Sequence, residues 1–195
     1  MRPLAESLRL GKKIRVLGVD DAPFARTRGL PVSIQGILCS DTRFEGMMTA
    51  QIRKDGLDAT DVLIAAILNC KFYPQIQVIL TDGIAFGGFN LIDLPRLSAA
   101  IERPCIAVMR KMPDLMAIDK ALGYFEDAEQ RRAILARAGQ IYHAAPFVYQ
   151  VIGCEPEIAA QVLQRLTDQG HVPEALRLAH LIGSAMVTGE SSKRA

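Results

Sequence analysis

Two β-rich runs in this chain each stop at a carboxylate: Val16-Leu17-Gly18-Val19-Asp20-Asp21 and Val78-Ile79-Leu80-Thr81-Asp82-Gly83. If the two strands lie side by side, Asp20 and Asp82 emerge at one edge of one sheet. Hard divalent cations prefer oxygen ligands, and paired carboxylates that hold Mg²⁺ or Mn²⁺ can through it hold a phosphodiester and offset its developing charge. Rigid strand ends hold such ligands better than mobile loops. The plainer reading is two turns, since Asp-Gly after a strand and Asp-Asp before Ala22-Pro23 both open loops. Spacing alone does not separate the two.

Other residues are weighed against that pair. A two-residue period puts Ile14, Val16, Gly18 and Asp20 on one face and Arg15, Leu17, Val19 and Asp21 on the other. Asp21 therefore joins Asp20 as a metal ligand only if the strand ends or bulges between them. Asp61, 21 residues before Asp82, is a further catalytic acid or simply a helix N-terminal carboxylate like Asp58. Arg110 and Lys111 end the strand after Asp82, so they reach a scissile phosphate or stand as a solvated pair. His143, His171 and His180 show no ligand spacing, and His180 shares a helical face with Arg177, which suits the surface. Asn90 contacts substrate or closes a turn. Gly83 to Gly88 is no P-loop, because Lys and Ser/Thr do not follow it.

The elements that must position these residues follow from periodicity. Strands are expected at Lys13 to Asp20, Pro31 to Ser40 and Arg43 to Arg53, with short connections that make an antiparallel meander. Asp58-Ala59-Thr60-Asp61 has the form of a helix start, before an apolar helix to Phe72. Ile76 to Thr81 lacks alternation, as a central strand covered on both faces would. A helix at Asp93 to Glu102, a strand at Pro104 to Arg110 and a charged surface helix at Asp127 to Arg137 come next. A strand at Phe147 to Ile152 and helices at Pro156 to Thr167 and Pro173 to Val187 complete the order, each helix with Pro near its first turn. Three antiparallel strands followed by helices and parallel strands make an α/β, ribonuclease H-like mixed sheet flanked by helices.

Bulk properties set the bounds. The 195 residues suit one domain, with its core at about residues 13–187 between polar tails. Half are hydrophobic, yet no apolar run spans a bilayer and Met1 to Lys13 lacks the apolar stretch of a signal peptide. A net charge of +2 neither announces nor excludes a nucleic-acid binder, since a basic groove can sit on a near-neutral surface. Cys39, Cys70, Cys105 and Cys154 lack CxxC spacing and read as buried thiols in a reducing cytoplasm.

At these residues the chain resembles endonuclease V through Gly18-Val19-Asp20, Thr81-Asp82-Gly83 and the segment Val172 to His180. It is more similar to an uncharacterised, mainly archaeal endonuclease V-like family, domain of unknown function ninety-nine. The hallmarks of that family stand here as Gly18 to Phe24, Asp55 to Thr60 and Asp82 to Asn90, within a resemblance running from about Lys13 to Met186. The resemblance implies a ribonuclease H-like fold and cleavage with acidic metal ligands; endonuclease V cuts DNA or RNA near deaminated adenine. Its first-strand aspartate matches Asp20, its Asp-Gly aspartate matches Asp82, and its active-site lysine falls at or beside Arg110 and Lys111. Its intervening glutamate has no clear match, with Asp61 at a comparable spacing. Its Pro-Tyr-Ile-Pro wedge is missing, its His-Pro-Arg segment is replaced around Gly87 to Asn90, and Cys154 and His180 stand at its later histidine and aspartate. The expectation is a metal-dependent nuclease or phosphodiesterase acting on DNA or RNA. The alternative is a binding module of the same fold that holds nucleic acid or protein without cutting it.

Overall fold

The computed structural model describes residues 3–193; the ends of the two polar tails, residues 1–2 and 194–195, lie outside the described residues. A short helix α1 (Leu4–Arg9) precedes β1 (Arg15–Asp21), β2 (Pro31–Ser40) and β3 (Arg43–Arg53), which form the expected antiparallel meander. Helix α2 (Ala59–Asn69) and a single 3-10 turn (Tyr73–Gln75) lead to β4 (Val78–Asp82), which returns parallel to β1. A small hairpin of β5 (Ala85–Phe86) and β6 (Asn90–Leu91) follows, then α3 (Leu94–Ile101) and a third parallel strand, β7 (Cys105–Met109). Helices α4 (Leu115–Leu122) and α5 (Ala128–Arg137) precede a hairpin of β8 (Tyr142–Ala144) and β9 (Phe147–Ile152), and α6 (Pro156–Arg165) and α7 (Glu174–Thr188) end the order.

The main sheet has the strand order β3-β2-β1-β4-β7-β9-β8. The mixed α/β plan expected from the sequence is therefore present. Its far edge differs in detail, because β9 pairs antiparallel with β7 and brings β8 with it. Side chains sort by face. Val16, Ile37, Val78, Leu80 and Ile106 pack with α1, α6 and α7, while Leu17, Val19, Ile34, Ile79 and Ala107 pack with α2 and α3. Strands β1, β4 and β7 are thus covered on both faces, which is why their sequences run apolar without alternation. All four cysteines are free thiols, but only Cys39 and Cys105 are buried as expected; Cys70 and Cys154 are half-buried. No helix among the described residues is long and apolar enough to cross a membrane.

Helix α7 lies along β1 at unusually close range. A Cβ on Gly18 would stand 2.6 Å from the carbonyl carbon of Ala175, so only glycine fits there. Further along, Gly183 is tight against Ala22 just past the end of β1. Eight helical residues rise about 12 Å and four strand residues advance about 13 Å, so the two elements keep pace from one contact to the other. His180, between these contacts, is thereby carried to Asp20.

Helix α5 departs from the expected charged surface helix. Arg131 is fully buried, donating to the backbone carbonyls of Asp55, Gly56 and Phe89 and to the Asp127 carboxylate, and it lies 4.4 Å from the Phe125 ring centroid. A planar guanidinium presents five donors, enough to serve this many acceptors at once. One arginine thus ties α5 to the turn before α2 and to the β5–β6 hairpin.

Candidate functional site

The site begins with strand register. β1 and β4 pair in parallel through Val16 with Val78, Leu17 with Ile79, Gly18 with Leu80 and Val19 with Thr81. One residue further along that register, Asp20 and Asp82 stand side by side, on the face that α7 covers. Asp20 is only 4% exposed. Its Oδ1 accepts the Asp21 backbone N–H at 2.8 Å, and its Oδ2 lies 3.0 Å from His180 Nδ1. Burial first, then the charges of Asp82 and Asp21, push the Asp20 carboxyl up to about 8. Burial likewise raises Asp82, opposed by the charges of Arg110 and His180.

Arg110, just past β7, approaches Asp82 Oδ2 to 3.6 Å while half its side chain stays in solvent. Lys111 beside it is exposed. Between these groups and α7 lies a cleft of about 220 Å³ lined by Asp82, Arg110, Pro146, His171 and Leu176 among others. On the other side of Asp82 opens an apolar cavity of about 520 Å³, walled by Ile84, Phe89, Leu91, Met109, Leu115 and Ile141, with Asp82 and Gln150 at its polar points.

The remaining sequence candidates separate. Asp21 faces the α2 side, as its phase requires, and its Oδ2 accepts the Gly87 backbone N–H. Its charge still acts on Asp20 from there. Asp61 is not brought to this edge. It lies in the first turn of α2, on the opposite face of the sheet, exposed and bonded to Arg96 of α3. Asn90 is buried and structural: its Oδ1 accepts Ala59 N–H at 2.9 Å, and its Nδ2 donates to Arg53 O at 2.8 Å and to Asp58 Oδ1 at 2.6 Å. Asn90 therefore supplies the α2 cap expected from Asp58, whose own side chain makes no cap bond. Asp55 accepts Phe89 N–H at 2.9 Å and so helps hold the same hairpin.

His180 is the residue that periodicity misassigned to a surface role. Nothing in its own helix marks its contact with Asp20; the close approach of α7 to β1 at Gly18 and at Ala22 carries it to the sheet edge.

Among the described residues no three His, Cys, Asp or Glu side chains stand together as a ready-made metal cage. The donor chemistry nonetheless fits a hard cation. Mg²⁺ is commonly held by one or two carboxylates, with water and substrate phosphate oxygens completing the shell. Two carboxylates side by side make such a donor pair, with a bound cation taking the place of the proton that burial and its neighbours' charges otherwise hold on Asp20.

A mixed sheet of this order, with carboxylates ending its adjoining first and fourth strands, is the ribonuclease H-like arrangement. The chain belongs to the family described as Endonuclease dU, which matches residues 12–187. A UPF0215 protein of Pyrococcus furiosus is 40% identical over 190 residues, covering 95% of this chain and 98% of the relative. A crystal structure of a protein of unknown function from Archaeoglobus fulgidus superposes with a TM-score of 0.86 at 36% identity, over 91% of this chain and all of that one. Endonuclease V of Ciona intestinalis, crystallised with a 24mer DNA containing an inosine, gives a TM-score of 0.55 at 16% identity, over 87% of this chain and 84% of that chain. That likeness is one of fold.

Proposed function

We propose that this chain is a Mg²⁺- or Mn²⁺-dependent endonuclease that cuts nucleic acid at a deaminated base, with Asp20 and Asp82 as the acids that hold the cation. The observation that carries this reading is the pair itself: a buried Asp20 and a partly exposed Asp82 in adjacent register, the charge of Asp82 acting on Asp20, with Asp82 lining an open cleft. The fold relationship to endonuclease V and the family description, which names dU, support the substrate class. When bound, the cation supplies Lewis-acid stabilisation of the phosphodiester and favours ionisation of the attacking water.

The chain's own residues do the rest. Arg110, tethered to Asp82 but half in solvent, binds the scissile phosphate and offsets its growing charge, with Lys111 beside it. His180 holds Asp20 in place through Nδ1. The apolar cavity next to Asp82 receives the everted base and keeps it from water, since chemistry at a chosen nucleotide is helped by taking it out of the stack. The loop after β1 offers Arg26 and Arg28 to the backbone and a 40% exposed Phe24, with Lys54 Nζ 5.9 Å from its ring centroid.

The test is nicking of duplex and single-stranded oligonucleotides carrying deoxyuridine, deoxyinosine or no lesion, with Mg²⁺, Mn²⁺ or EDTA. Cleavage next to the lesion that needs the cation, and that falls more than about 100-fold in Asp82→Asn with folding intact, is the expected result. No cleavage of any substrate sinks the reading.

One observation favours a binding module instead. Asp82 is already near Arg110 and Asp20 already meets His180, so both carboxylates have protein partners. That reading expects salt-sensitive nucleic-acid binding that needs no divalent metal and survives Asp20→Asn.

A further inference from the structure

Two residues at this edge carry a buried polar atom without a partner, Thr81 on the face toward α2 and Gln35 on the face that α7 covers, the face of Asp20 and Asp82. In the antiparallel register of β1 and β2 Gln35 stands directly opposite Asp20. Directly opposed residues project from the same face with Cβ atoms about 4.5–5.5 Å apart, so Gln35 and Asp20 are neighbours on the side that α7 covers. The side chain is fully buried, and a Cβ on Gly183 of α7 would touch its Cγ at 3.3 Å. Gln35 thus lies under the same turn of α7 that brings His180 to Asp20.

Its amide is only half used. Nε2 donates to Ser33 Oγ at 2.8 Å, whereas Oε1 is one of two buried side-chain oxygens or nitrogens among the described residues with no hydrogen-bond partner. Buried acceptors are normally satisfied, and one left alone in a dry interior is costly. The nearby donors are committed elsewhere. His180 Nδ1 and the Asp21 N–H both serve Asp20, and the Ala22 N–H serves the Ser33 carbonyl. A cation shared with the Asp20 carboxylate opposite would give this carbonyl oxygen its partner. Side-chain amide carbonyls belong to the oxygen set that hard divalent cations accept.

We propose that the Gln35 carbonyl oxygen is a third protein ligand, completing with Asp20 and Asp82 a divalent-cation site built across β2, β1 and β4. The proposal rests on the metal-dependent reading above. It also accounts for a site with only two acids on this face: the third oxygen comes from an uncharged amide on the strand beside β1. A neutral third ligand leaves the group less negative than three carboxylates would, which suits a centre that must also admit a phosphate.

Direct Mn²⁺ binding to the full chain, followed by calorimetry and by the electron paramagnetic resonance signal of free Mn²⁺, tests it without relying on catalysis. Gln35→Leu keeps the volume and removes the oxygen; Gln35→Glu keeps the shape and adds charge. The expected result is a dissociation constant raised about 10-fold or more in Gln35→Leu and lowered in Gln35→Glu, with Asp82→Asn abolishing binding. If Gln35→Leu binds Mn²⁺ like the parent while Asp82→Asn does not bind, Gln35 is no ligand and the metal reading stands. If Asp82→Asn also binds like the parent, the metal reading itself fails. Should Gln35→Leu not fold, Gln35→Glu decides alone: weaker Mn²⁺ binding there means that the amide N–H₂, not the oxygen, faces the carboxylates, and overturns the proposal.

Discussion

His180 Nδ1 stands 3.0 Å from Asp20 Oδ2, so the helix furthest along the chain closes on the carboxylate that ends the first strand. The contact depends on two glycines, Gly18 and Gly183, which let α7 lie against β1 before and after the histidine.

The elevated Asp20 carboxyl makes stability depend on pH in a defined direction. The unfolded chain releases this proton near 3.8, the folded chain at about 8, so between these values the folded state holds more protons. Its stabilising contribution is full below the lower value and is lost as pH rises through the upper one. Urea midpoints measured in EDTA should fall from about pH 5 to about pH 8, and Asp20→Asn should flatten that fall. Saturating Mn²⁺ should flatten it too, by taking the proton's place. A midpoint that holds steady over this range in EDTA contradicts the buried, crowded carboxylate.

Gly18→Ala introduces a Cβ 2.6 Å from the Ala175 carbonyl carbon, backbone that cannot swing aside. Overpacking of this kind costs about 1–3 kcal/mol. Because α7 must back away from β1, the variant should also lose Mn²⁺ affinity although no ligand has changed. Chemical denaturation and Mn²⁺ titration on the same preparation check both halves. An unaltered titration with a lowered denaturation midpoint would separate helix packing from the site.

Asn90→Ala removes three hydrogen bonds at once and leaves the Ala59 N–H, Arg53 carbonyl and Asp58 carboxylate to find other partners. A loss of about 2–4 kcal/mol is expected, or about 5–15 °C in melting temperature for a chain of this size. Thermal unfolding followed by circular dichroism measures it. A shift under about 2 °C would show that the hairpin and α2 do not depend on this residue.

Much of the fold is legible in the sequence because strand chemistry is local. The two-residue period correctly puts Asp20 and Asp21 on opposite faces, and the unbroken apolar run of β4 marks that strand as covered on both faces. What the sequence hides depends on partners far along the chain. Asp58 and Asp61 have the form of a helix start, yet the cap comes from Asn90 and Asp61 turns outward to Arg96. Arg131 sits in a helix whose composition says surface, but four groups from three segments need its donors. Helix α1 and the two- and three-residue strands β5, β6 and β8 are too short for periodicity to register, whereas α4, eight residues like α3, goes unpredicted despite its length. His180 reads as a surface residue because nothing in its own helix reveals how closely β1 approaches.

The pairing of α7 with β1 also has a meaning in time. Asp20 and His180 are 160 positions apart, so a ribosome adding about 5–20 residues per second makes the carboxylate roughly 8–32 s before the imidazole. During that interval the nascent meander carries its acids without the helix that covers them. Any site that needs both groups is therefore assembled only after His180 has been made.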